Sequence, residues 1–141
     1  MWPLIYIAGP YKGKTHDYKS YVAIGHNILR AQSAAIWCAS NGICYFCPHL
    51  HSAHNEVIMP EVKAKFWYNL DLRIASQCDV LLLVDGWEQS NGSLVEKDYF
   101  RSQGKPIFQF DFVGRTALLE WYNLSCEQSR LGAHEREEKW Q

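Results

Sequence analysis

The chain has 141 residues, 48% hydrophobic and 21% charged, with a formal net charge of -1 at pH 7 and a pI near 6.6. That is the size and balance of one globular domain able to build a single core, and the missing basic footprint excludes a nucleic acid polymer or an anionic membrane surface as partner. No apolar run is long enough for a bilayer span, Met1-Trp2-Pro3-Leu4 opens no signal segment, and five cysteines, an odd number, suit reduced thiols in a cytoplasmic protein.

Leu4-Ile5-Tyr6-Ile7-Ala8 reads as a first strand, ended by Gly9-Pro10. A helix is expected from about His16 or Asp17 to Ser40, with Tyr21, Ile24, Ile28, Ala31, Ala35 and Trp37 on its apolar face and Asn41-Gly42 as its stop. Ile43 to Cys47 follows as a short strand, and Pro48 to Pro60 as a loop carrying three histidines. Further on come a helix around Glu61 to Gln77, a strand at 79–84, a helix from Ser93 to about Ser102 and a strand from Pro106 to Phe110. From Thr116 the chain reads as helical through Leu131, with exposed-looking aromatics, and then as a frayed polar tail. This alternation predicts an α/β fold with one doubly wound parallel sheet, a single domain over residues 1–131 and a polar tail over 132–141.

The segment that says most about function begins with the apolar run Val80-Leu81-Leu82-Leu83-Val84, a strand buried on both faces. It breaks at Gly86-Trp87 and leads through Ser90-Asn91-Gly92-Ser93-Leu94-Val95 to Glu96, at the carboxyl edge of the sheet, where open α/β folds bind ligands. Ser93 to Glu96 also fits a capping box, in which Ser93 caps the helix and Glu96 reaches back to its amide.

Asp71 is a second candidate carboxylate. Trp67, Leu70, Asp71 and Ile74 share one helical stripe, so the acid faces inward, either functional or paired with a local donor such as Arg73. Gly9-Pro10-Tyr11-Lys12-Gly13-Lys14-Thr15 sits between the first strand and the first helix, where backbone amides and two lysines suit a phosphate. The same residues permit two other readings, a relaxed P-loop with Asp85 as the metal-holding acid, or a plain turn. Cys44 and Cys47 with His49, His51 and His54 invite a zinc reading, but residues three apart on a strand point to opposite faces. We therefore expect no metal or other cofactor, and place His49 on a loop over the pocket.

Taken together, these pieces resemble the nucleoside 2-deoxyribosyltransferase superfamily, including its branch of (deoxy)nucleoside 5'-monophosphate N-glycosidases. The matching segments are Tyr6 to Tyr11, Trp67 to Leu72 with Cys78-Asp79, and Gly92 to Glu96 followed by Gly104-Lys105-Pro106-Ile107. The resemblance implies a flavodoxin-like or Rossmann-like three-layer fold, a homodimer, and cleavage of the bond between base and (deoxy)ribose. It implies Glu96 as nucleophile, Tyr6 as the residue that positions it, and Asp71 as the acid near base and sugar. Lys12-Gly13-Lys14 and Ser90 would then hold a 5'-phosphate, and Gly9 and Gly92 would admit the ligand close to the backbone. A helix amino terminus would favour ionised Glu96, and burial would keep a proton on Asp71. The glycosyl-enzyme passes to water in a hydrolase and to a second base in a transferase.

Overall fold

The computed structural model describes residues 2–12 and 18–140. Four strands form one parallel sheet: β1 (Ile5–Ala8), β2 (Tyr45–Phe46), β3 (Val80–Leu83) and β4 (Ile107–Gln109), in the order β2-β1-β3-β4. Tyr6 stands level with Leu81 and Ala8 with Leu83. Every residue of β1 and β3 is buried, as two-sided coverage of central strands requires.

Among the described residues six α-helices connect and cover these strands: α1 (Tyr18–Ser40), α2 (Pro48–His51), α3 (Asn55–Ile58), α4 (Ala64–Ala75), α5 (Asn91–Ser102) and α6 (Phe112–Trp140). On one face Ile5, Ile7, Val80 and Leu82 pack with Ala31, Ala34, Ala35 and Cys38 of α1 and Leu118 and Tyr122 of α6. On the other, Tyr6, Ala8, Leu81 and Leu83 meet Ala75 of α4 and Phe100 of α5. Each of the larger aliphatic side chains so buried contributes about 1.5–3 kcal/mol. The result is the expected α/β three-layer sandwich, flavodoxin-like or Rossmann-like, with one doubly wound sheet. Because the order steps outward in opposite directions from β1 and β3, a crevice opens beyond their carboxyl ends.

Several boundaries differ from expectation. Residues 48–60 are not an unbroken loop: α2 begins with Pro48 in its first turn, and α3 follows His54, whose backbone is left-handed at φ 61°. Helices of four residues are too short to show a periodicity, so the sequence hides them. Tyr21 is exposed rather than part of the inner face of α1, which small residues instead bring close to the sheet. The last helix starts at Phe112, before Thr116, since Asp111 Oδ1 accepts the Gly114 amide at 2.6 Å. It also continues past Leu131 to Trp140, because Glu, Arg and Lys are good helix formers and polarity alone does not end a helix. Trp121 and Tyr122 are not exposed aromatics but pack against the core.

Candidate active site

Tyr6 lies in the middle of β1 with its side chain on the α4/α5 face, fully buried and tilted against Phe46 and Phe100 at ring distances of 6.1 and 5.7 Å. Burial, and then the Glu96 and Asp71 carboxyls, hold its pKa far above the ordinary value, so it stays a phenol. Glu96 faces the same hydroxyl from α5. Tyr6 lowers the Glu96 pKa, yet among the described residues neither the Tyr6 hydroxyl nor Glu96 Oε2 closes a hydrogen bond of regular geometry.

The capping box between Ser93 and Glu96 is not formed. Ser90 is the cap: its Oγ accepts the Ser93 amide at 3.2 Å, and α5 begins at Asn91. Glu96 is therefore the sixth helical residue, more than a turn inside, where the field of the helix end has largely faded. Burial dominates instead and raises its pKa to about 7, helped by the Asp71 charge. The expectation that the helix terminus keeps Glu96 ionised is corrected accordingly.

Asp71 comes to the same place from α4. Arg73 turns away to Ser76, donating to its Oγ at 3.0 Å, and Asp71 Oδ1 is buried with no partner among the described residues. The local ion pair is thus absent for this acid, whose pKa burial raises to about 6, with His51 acting in the opposite sense. Ser93 Oγ and Trp67 Nε1 are likewise buried and unpaired. So many uncompensated polar atoms around one point are costly to folding and are characteristic of a functional site.

A cavity of about 610 Å³ opens here, beyond the carboxyl ends of β1 and β3. Asp71 and Glu96 line it together with Gly9, Pro10, Tyr11 and Lys12 of the turn after β1, His49 of α2, and the α5 amino end from Ser90 to Ser93. The structure thereby gathers the expected site residues, with Tyr6 directly beneath; Gly13 and Lys14 lie outside the described residues. Two roles change. A Cβ on Gly9 would stand 3.1 Å from Val84 Cβ, so glycine is needed there for packing against the end of β3. A Cβ on Gly92 would meet Glu96 Oε1 only at 3.9 Å, an ordinary contact.

His49 Nε2 lies 2.8 Å from the Pro10 carbonyl, which can only accept, so Nε2 carries the hydrogen. Burial lowers the pKa of this histidine, outweighing the Pro10 and Gly9 carbonyls, and keeps the ring neutral. Cys44 is exposed and Cys47 buried, on either side of β2, which covers only Tyr45–Phe46. Among the described residues no group of three or more His, Cys, Asp or Glu is placed to hold a metal.

Trp67, Asn55 and Glu56 also line the cavity and were not singled out from the sequence. Trp67 was within reach, since it shares the stripe that exposes Asp71. Glu56 sits in a segment without periodicity, and nothing local marks it.

Chemically, the site offers two carboxyls whose pKa values burial raises, a phenol beside one of them, and the α5 amino end and Lys12 on the cavity wall. Such a set can attack or stabilise an electron-poor carbon and deliver a proton to a leaving group. No helix of the described residues is long and apolar enough to cross a membrane. No curated protein matches the chain. Residues 3–109 match the family described as Domain of unknown function (DUF4406), and with most of its length covered the chain belongs to that family.

Proposed function

We propose that the protein is an N-glycosidase that cleaves the bond between base and sugar in a (deoxy)nucleoside 5'-monophosphate or (deoxy)nucleoside. The observation that carries this reading is that half-buried Glu96 and Asp71 line one cavity at the sheet edge and act on the fully buried Tyr6 phenol behind it, while Glu96 Oε2, Asp71 Oδ1 and the phenol oxygen are buried without regular partners among the described residues. In this reading ionised Glu96 attacks the anomeric carbon as the bond to the base breaks, and Asp71 gives the departing base a proton. Water then displaces Glu96 from the sugar, and the pair recovers its proton.

Between about 6 and about 7 the two carboxyls share one proton, and in the open site Glu96 holds the larger part of it. The reactive arrangement, proton on Asp71 and charge on Glu96, is then the less populated of the two one-proton forms. That cost in population is small beside the gain from a correctly placed nucleophile. A 5'-phosphate would find the Asn91 and Gly92 amides, the Ser90 hydroxyl and Lys12 on the cavity wall. Exposed Phe112 and Val113 on α6 are consistent with a homodimer, and we place the enzyme in the cytoplasm.

The test is incubation with a panel of nucleosides and nucleoside 5'-monophosphates, with free base measured by chromatography. Release by the native protein and none by Glu96→Ala is expected. No release from any substrate, or full activity in the variant, overturns the proposal. Base exchange on adding a second free base would make the enzyme a transferase; Mg-dependent ATP binding lost in Lys14→Ala would favour a P-loop protein instead.

A further inference from the structure

The turn after β1 and the segment 48–58 both line the cavity, and side-chain hydrogen bonds join them. The Tyr11 hydroxyl donates to the Glu56 carboxylate, at 3.0 Å from Oε1 and 2.9 Å from Oε2. The same hydroxyl accepts the His54 amide at 2.8 Å. One residue earlier in the turn, the Pro10 carbonyl accepts His49 Nε2 at 2.8 Å, and the Tyr11 and His49 rings meet edge to face at 5.6 Å. Asn27 Nδ2 of α1 donates to the Tyr11 carbonyl at 3.1 Å, so the turn is pinned on both sides.

Two features argue that this arrangement is more than incidental packing. His54 is the sole non-glycine residue with a left-handed backbone among the described residues, and that conformation aims its amide at the Tyr11 hydroxyl. A strained backbone persists where its surroundings hold it, and such positions gather at functional sites. Moreover, Tyr11 spends its donor on Glu56 and takes a donor from His54, so the hydroxyl serves the link rather than a ligand. Burial and the Glu56 bond keep it protonated, its pKa standing at about 12.

We propose that Glu56 is a positioning residue: acting through the Tyr11 hydroxyl, it fixes the Gly9 to Lys12 turn and so sets where the sugar-phosphate end of the substrate rests relative to Glu96. This rests on the N-glycosidase reading for its substrate, but the link itself is a property of the fold. Glu56 does not touch the reacting atoms in this account. Its loss loosens the turn and weakens binding, whereas the chemical step, carried by the floor of the cavity, continues in those molecules that do bind.

The experiment compares Glu56→Ala, Glu56→Gln, Tyr11→Phe and the double variant Tyr11→Phe/Glu56→Ala, using the nucleoside monophosphate that the native protein cleaves fastest. A hydrogen bond to a charged group corresponds to a change of about tenfold or more, so KM should rise by that factor in Glu56→Ala and Tyr11→Phe with kcat within about threefold. Glu56→Gln keeps an acceptor for Tyr11 and should stay close to the native KM, which also guards against a mere folding defect. The double variant should be no worse than either single one. An unchanged KM in Glu56→Ala, a loss confined to kcat, or additive losses in the double variant overturn the proposal.

Hydrogen exchange separates this inference from the glycosidase reading. Faster exchange over residues 9–12 in Glu56→Ala and Tyr11→Phe, but not in Glu56→Gln, supports the link even if the native protein cleaves no nucleotide. Unchanged exchange in all three overturns it whatever the activity.

Discussion

The phenol of Tyr6 and the carboxyl of Glu96 face each other in the interior, from the middle of β1 and the second turn of α5, close enough for Tyr6 to lower the Glu96 pKa without a regular hydrogen bond between them. Tyr6→Phe should therefore raise the Glu96 pKa above about 7. Because Glu96 holds the larger part of the shared proton, the alkaline limb of kcat/KM then moves to higher pH and the reactive form becomes scarcer, so activity at about pH 6.5 falls about tenfold for each pKa unit moved. Profiles of the native protein and the variant decide this; a limb that stays in place counts against the role given to Tyr6.

The carboxyl pair makes a prediction for the native protein itself. Where one proton is shared, kcat/KM should peak between about 6 and about 7. Asp71→Asn removes the proton donor and should lower the rate by about a hundredfold or more. With its partner's charge gone Glu96 titrates alone, so the alkaline limb should disappear and the remaining activity should rise to a plateau above a single pKa that lies below about 7. A variant that kept the native alkaline limb would exclude Asp71 as its source.

Burial of Glu96 should be visible in stability. Its pKa rises from the ordinary 4.5 to about 7, so the native state binds more protons than the unfolded chain across that range, and stability falls as pH rises through it. Above about pH 7 the cost reaches about 3 kcal/mol. Glu96→Gln should flatten this slope and melt several degrees higher than the native protein at about pH 8. Thermal melts over a pH series test it, and equal slopes would show that Glu96 is better solvated than its burial implies.

Two serines three residues apart should respond with opposite signs. Ser90→Ala removes the cap of α5 and should cost about 1 kcal/mol. It should also raise KM for nucleoside monophosphates more than for nucleosides, if the Ser90 hydroxyl meets a phosphate. Ser93 is fully buried with Oγ unpaired, so Ser93→Ala removes an uncompensated group and should be neutral or stabilising. Chemical denaturation of both variants without ligand reads these effects.

Much of the fold was legible because β1 and β3 are continuous apolar runs and the helices around them keep a clear stripe. The same stripe placed Asp71 inside, and the strand-turn-helix order placed Glu96 at the sheet edge. What escaped depends on distance along the chain. The capping box was a correct local pattern in the wrong register, because the chain enters α5 at Asn91 and lets Ser90 act first. The ionisation of Glu96 follows from how much protein surrounds it, and no local pattern carries that. Glu56 reaches the turn after β1 through Tyr11, forty-five residues away in the chain.

The placement of Tyr6 within β1 has one more consequence. A residue shared by the central strand and the site cannot drift without disturbing the sheet, so the floor inherits the rigidity of the core, while the wall made by α2 and α3 rests on side-chain links and can vary. If the chain is the N-glycosidase proposed above, its substrate preference should change with segment 48–58 while Glu96, Asp71 and Tyr6 stay where they are. Exchanging that segment between members of the family is accordingly the natural route to changing what the cavity accepts without rebuilding its chemistry.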